Sequence, residues 1–173
     1  MFRRFKEKLS GSAAGKIATM RALQFGSDFQ EALSPLSINV DALFVSETTA
    51  LAYAVTVISI QQAGFGFADA HRFSAQFSQE YCDHMAKSLV AEGGQMSAAQ
   101  LELQRFYQDR YTEYRIDPTE PNIAGTYLRH LGQLPAHATT TKVIEAAIYA
   151  GLGAIGDDMK TMAKTKTLVF KGP

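Results

Sequence analysis

The sequence predicts an all-α fold, an antiparallel bundle of about five or six helices. Three observations carry that expectation. Apolar residues recur three and four positions apart through most of the chain, helix-capping residues and Gly or Pro bracket those stretches, and the connections are short. With 173 residues, 46% of them apolar, the chain is long enough to bury a core without disulfides or a structural metal. Residues 1–173 therefore read as one helical domain, in which 1–10 form a separate amphipathic basic helix.

That first helix rests on Phe2, Phe5 and Leu9, with Arg3, Arg4, Lys6 and Lys8 between them. Gly11 and Gly15 interrupt it. Ile17, Met20, Leu23 and Phe25 begin a second helix, which reaches towards Leu33 and stops near Pro35. The stretch from Ser34 to Val45 reads as irregular or briefly extended. Ser46 then caps a helix to about Ala63, Glu47 lies near the positive end of its dipole, and Gly64 closes it. The β-branched run Val55 to Ile60 would suit a strand. The length of this apolar segment without Gly or Pro favours a helix, apolar on nearly all sides and hence central.

Asp69 opens the clearest amphipathic helix, which ends at Gly93-Gly94. Phe73, Phe77, Tyr81, Met85 and Leu89 form its apolar line, and Asp83 and Lys87 are ordered for an exposed ion pair. Ser97-Ala98-Ala99-Gln100 is a capping box for the next helix, which carries Leu103, Tyr107, Tyr111 and Tyr114 and ends before Pro118. The brief connection makes these two helices a hairpin. The turn from Asp117 to Pro121 introduces a shorter helix to about Leu131. A last helix starts near Thr140 or Thr141, becomes glycine-rich at Gly151, Gly153 and Gly156, and resumes to about Ala163. The tail from Thr165, with Leu168-Val169-Phe170, suits a short strand or a docked extension.

Lys plus Arg and Asp plus Glu number 17 each, so there is no overall field to hold nucleic acid. The longest apolar segment, Ala50 to Ile60, is shorter than the ~20 residues of a membrane span. Membrane contact is then limited to weak surface binding through the basic amino terminus. Cys82 is the sole cysteine, which excludes an intramolecular disulfide and the multi-cysteine zinc patterns. Met1 to Lys8 is followed by Ser, Gly and Ala rather than the apolar run of a signal peptide, and the expected compartment is the cytoplasm.

Few residues offer chemistry. Gly151-Leu152-Gly153-Ala154-Ile155-Gly156 matches the dinucleotide-loop spacing, but Asp157-Asp158 places negative charge where a phosphate would sit. Close helix packing explains the glycines better. His84 extrapolates onto the apolar side of its helix near Phe73 and Phe77, with Glu80 one turn back and Tyr81 beside it. Imidazole and carboxylate together can bind a ligand or move a proton, so His84, Glu80 and Tyr81 form the candidate ligand site. A buried histidine satisfied by Glu80 or a tyrosine is the simpler account. The spacing fits no di-iron pattern, and neither a metal, a cofactor nor a catalytic residue is assigned. Cys82 faces a different direction from His84 and reads as a small, semi-buried apolar residue.

Tyr107, Tyr111 and Tyr114 form an aromatic stripe suited first to core packing and second to an interface. Phe2, Phe5 and Leu9 supply a second interface candidate. The leading expectation is a non-enzymatic interaction or regulatory module that forms a homodimer or binds another protein. The alternative is a bundle holding a small apolar ligand or cofactor near His84, with an enzyme third. A filled core with an exposed apolar face favours the first, and a large closed pocket favours the second.

Overall fold

The computed structural model describes residues 6–36, 38, 40–89, 96–115, 123–132 and 138–170, apart from the side chains of residues 89, 96, 97 and 138. In chain order the elements are β1 (Glu7–Ser10), α1 (Gly11–Leu33), a 3-10 turn (Ser34–Leu36), α2 (Ala42–Gln62), α3 (Phe67–Leu89), α4 (Met96–Tyr114), α5 (Ile123–His130), α6 (Ala138–Thr165) and β2 (Lys166–Val169). The expected all-α bundle is present, with six helices among the described residues. Phe2, Phe5, the Gly93-Gly94 stop, the turn at 117–121 and the side chains of Leu89 and Ser97 lie outside that description.

The amino-terminal reading needs correction. Residues 7–10 form a strand, not the end of a basic helix, and pair in parallel with β2, Leu9 opposite Leu168. Lys166 also pairs with Glu7 across the two strands. Ser10-Gly11 is a helix start rather than an interruption, because Ser10 Oγ accepts a hydrogen bond from Ala13 N at 3.1 Å. Gly11 is needed there: a Cβ at that position would sit 2.4 Å from the Phe170 ring. The strand pair joins the two ends of the described chain, and half-buried Leu9 packs against the core instead of forming an outward face.

α2 begins before Ser46, since Asp41 Oδ1 accepts from Phe44 N at 2.9 Å and caps the helix. The helix ends as expected at Gly64, whose φ of 90° is a conformation that glycine adopts without strain. The β-branched run is helical because packing, not local preference, decides its state: every residue from Ala50 to Ile60 is buried. By length and composition α2 could cross a membrane, but 78% of its apolar window is buried, as in a core helix.

Around α2 the interior is aromatic. Tyr53 stacks on Phe77 and on Tyr107, each with ring centroids 5.4 Å apart, and Tyr81 meets Tyr107 edge-on at 5.3 Å. On another side of the core, Phe29 packs edge-on to Tyr127 at 5.3 Å. α6 runs unbroken through its three glycines, and Gly151 lets α1 approach, because a Cβ there would lie 2.1 Å from the Phe25 ring.

Candidate functional site

Of the residues singled out on α3, His84 and Glu80 line one surface groove, while Tyr81 is buried in the core away from it. His84 is exposed, in a correction of its expected apolar position, and lines a groove between α1 and α3 with Met20, Asp83 and Lys87. The physical reason is phase. The row Phe73, Phe77, Tyr81, Met85 is spaced by four, so it winds about 40° around the helix at each step, given about 100° per residue. Near the start of α3 the row is the buried face, but towards its end Cys82 and Ala86 are buried and the direction of Phe73 has turned outward. His84 inherits that outward direction.

Glu80 takes other partners, accepting from Ser12 Oγ at 2.7 Å and from Gln76 Nε2 at 3.4 Å. Tyr81 is fully buried, and its hydroxyl donates to the Thr49 carbonyl at 2.9 Å. The Asp83–Lys87 pair does form, at 2.6 Å. Burial pushes the Cys82 thiol up to about 11, which keeps it protonated and a poor nucleophile. Among the described residues no group of three or more His, Cys, Asp or Glu is placed to hold a metal ion.

The tyrosine stripe of α4 is core. Tyr107, Tyr111 and Tyr114 are all buried, with hydroxyls directed to Thr49 Oγ1, Gln61 Oε1 and Glu47 Oε2 respectively. Each ring fills space beside α2 while its oxygen finds a partner, so the stripe offers no free surface. Burial raises the hydroxyl pKa of Tyr53, Tyr81, Tyr114 and Tyr127, and that of Tyr107 to about 12.

The sequence reading missed a buried charge cluster. Glu47, only 1% exposed, receives Arg110 Nε at 3.0 Å on both carboxylate oxygens and Nη2 at 2.7 Å on one. Arg110 also reaches Glu113 at 3.2 Å, and His130 Nε2 lies 2.7 Å from the other Glu113 oxygen without hydrogen-bond alignment. Burial works against the charge on Arg110, but Glu47 and Glu113 outweigh it and raise its pKa. Glu47 was legible only as a residue favourable at a helix start. A lone carboxylate inside an apolar run was the available signal, since such a group is buried only with a partner. Both carboxylates are paired with Arg110 while His130 Nε2 is left without a hydrogen bond, and the geometry is that of a structural tie between α2, α4 and α5.

Two clefts flank α6. One, of about 410 Å³, lies among Ile58, Gln61, Tyr114, Ile123, Tyr149 and Leu152; the other, about 330 Å³, is floored by Phe25, Phe29 and Ile155 against Ala150, Gly151 and Ala154. Between them the outward side of α6 exposes Ala146, Tyr149, Ala150, Gly153 and Ala154. Fold and surface together define an all-helical bundle with a filled aromatic core and an uncharged, outward helix face. No family model, curated protein or solved structure matches the chain.

Proposed function

We propose that this chain is a non-enzymatic helical interaction module that self-associates. The observation carrying this reading is the middle of α6, where residues 146–156 contain no charged side chain although one side of the helix faces solvent. Isolated exposed apolar residues are ordinary, but a continuous uncharged face between two clefts is a feature of contact surfaces. The interior is consistent with the same reading, since aromatic rings fill it and buried Glu47 is paired with Arg110. Sedimentation equilibrium across micromolar concentrations, with native mass spectrometry, tests the proposal. The expected result is a species of twice the chain mass. A monomer throughout would overturn it, and a monomer carrying a retained small molecule would favour a ligand carrier using the 410 Å³ cleft.

A further inference from the structure

We infer that α6 is the self-association surface and that it meets α6 of a second copy in an antiparallel, twofold pairing centred between Tyr149 and Ala150. This inference rests on the self-association reading above and assigns it a surface and a register.

Lys142, Ala146, Tyr149, Ala150, Gly153 and Asp157 are all exposed, and at about 100° per residue they share one face. The face is uncharged from Ala146 to Gly153 and is bounded by Lys142 at one end and, at the other, by Asp157, which keeps 82% of its side chain exposed although Lys160 lies 3.6 Å away one turn on. A twofold axis between Tyr149 and Ala150 places Lys142 opposite the second copy's Asp157 at both ends. The same axis sets Ala146 against Gly153 and Tyr149 against Ala150. Large thus meets small, positive meets negative, and the match spans ~22 Å at 1.5 Å per residue. A parallel pairing would instead align Lys142 with Lys142 and Asp157 with Asp157. Charge complementarity therefore selects a second copy as occupant and the antiparallel direction as its orientation.

Gly153 gives this face a reason that the single chain lacks. A Cβ at Gly151 would strike Phe25, so that glycine serves internal packing, whereas a Cβ at Gly153 meets nothing within 4 Å. An exposed glycine in a helix interior is less favourable for the helix than alanine. Close approach of a neighbouring helix uses such a position. The flanking clefts beside Phe25 and Leu152 extend the contact past a single ridge and can receive side chains from the second copy.

The test is sedimentation equilibrium and disulfide crosslinking on the full chain with five variants, each first checked for helix content by circular dichroism. Gly153→Glu adds an exposed helix-forming side chain and is expected to weaken the dimer at least about tenfold. Lys142→Glu alone should weaken it roughly threefold to tenfold, and Lys142→Glu with Asp157→Lys should restore it, which a merely structural effect would not do. Ala150→Cys should form a disulfide-linked dimer under mild oxidation, while Thr112→Cys on exposed α4 should not. A dimer that tolerates Gly153→Glu and leaves Cys-substituted position 150 uncrosslinked would overturn the α6 surface while self-association stands. A wild-type chain that is monomeric throughout would overturn both.

Discussion

Between Ala50 and Ile60 α2 has no charged residue, and every one of those positions is buried; between Ala146 and Gly156 α6 has none either, yet one of its sides faces solvent. The difference lies in their neighbours. α2 is packed by each of the other five helices, whereas α6 meets α1, α2 and α5 and leaves its remaining side open. An uncharged helical segment is therefore not by itself a core segment. What α2 adds is a carboxylate near its start, Glu47, held in the interior by Arg110. What α6 adds is a charge of each sign at the two ends of its open face.

Alkaline titration should break the α2 surroundings most completely. Tyr107 is raised from 10.0 to about 12 and Cys82 from 9.0 to about 11, in both cases by burial. The folded state keeps protons that the unfolded chain releases, so stability falls as pH rises. The contribution is fully present below about pH 9 and is lost progressively through pH 11–12, with Tyr53, Tyr81, Tyr114 and Tyr127 adding in the same direction. In a Tyr149→Phe background, which removes the exposed ring, tyrosinate absorbance and loss of helical circular dichroism are expected to appear together in one cooperative step. Gradual tyrosinate formation within an intact helical fold would contradict the burial of these rings.

The next largest effect is expected at Arg110. Arg110→Ala leaves Glu47 buried without its cation, a change that costs about 3–5 kcal/mol for broken buried pairs. Replacing both with Met should cost clearly less than the single change, because no uncompensated charge is then left inside. Urea melts of the three proteins decide between them. Equal losses in the single and double variants would mean that packing, rather than charge pairing, is what Arg110 supplies.

These contrasts also show what the sequence could carry. Helix count, the central position of α2 and the Asp83–Lys87 pair were legible from spacing within a few residues, whereas the C-terminal tail was legible only as a short strand or a docked extension. The strand at 7–10 was not, since it exists through pairing with residues 166–169, far along the chain. His84 was misplaced because a phase read at Phe73 does not survive three turns of a winding row. The Glu47–Arg110 tie was hidden for the same reason as the strand: its partners lie on different helices, and no local pattern encodes which carboxylate meets which guanidinium.

The finest form of the comparison is within α6, where the same substitution should change sign over two residues. At Gly151 an added methyl group would enter the space of the Phe25 ring, at 2.1 Å, and α1 and α6 must separate or the ring must turn. Gly151→Ala is accordingly expected to cost about 1–3 kcal/mol, the usual range for overpacking. At Gly153 the helix is equally regular but the methyl group enters open solvent. Gly153→Ala should stabilise the fold by about 0.5–1 kcal/mol, because alanine loses less backbone freedom on becoming helical. Thermal or urea melts must be run at concentrations where the chain is monomeric, so that closer packing between copies does not enter the comparison. Opposite signs would place Gly151 in the fold and Gly153 at its surface. Loss of stability in both variants would show that the outward face of α6 is covered within the chain, and would remove the steric room on which the antiparallel pairing depends.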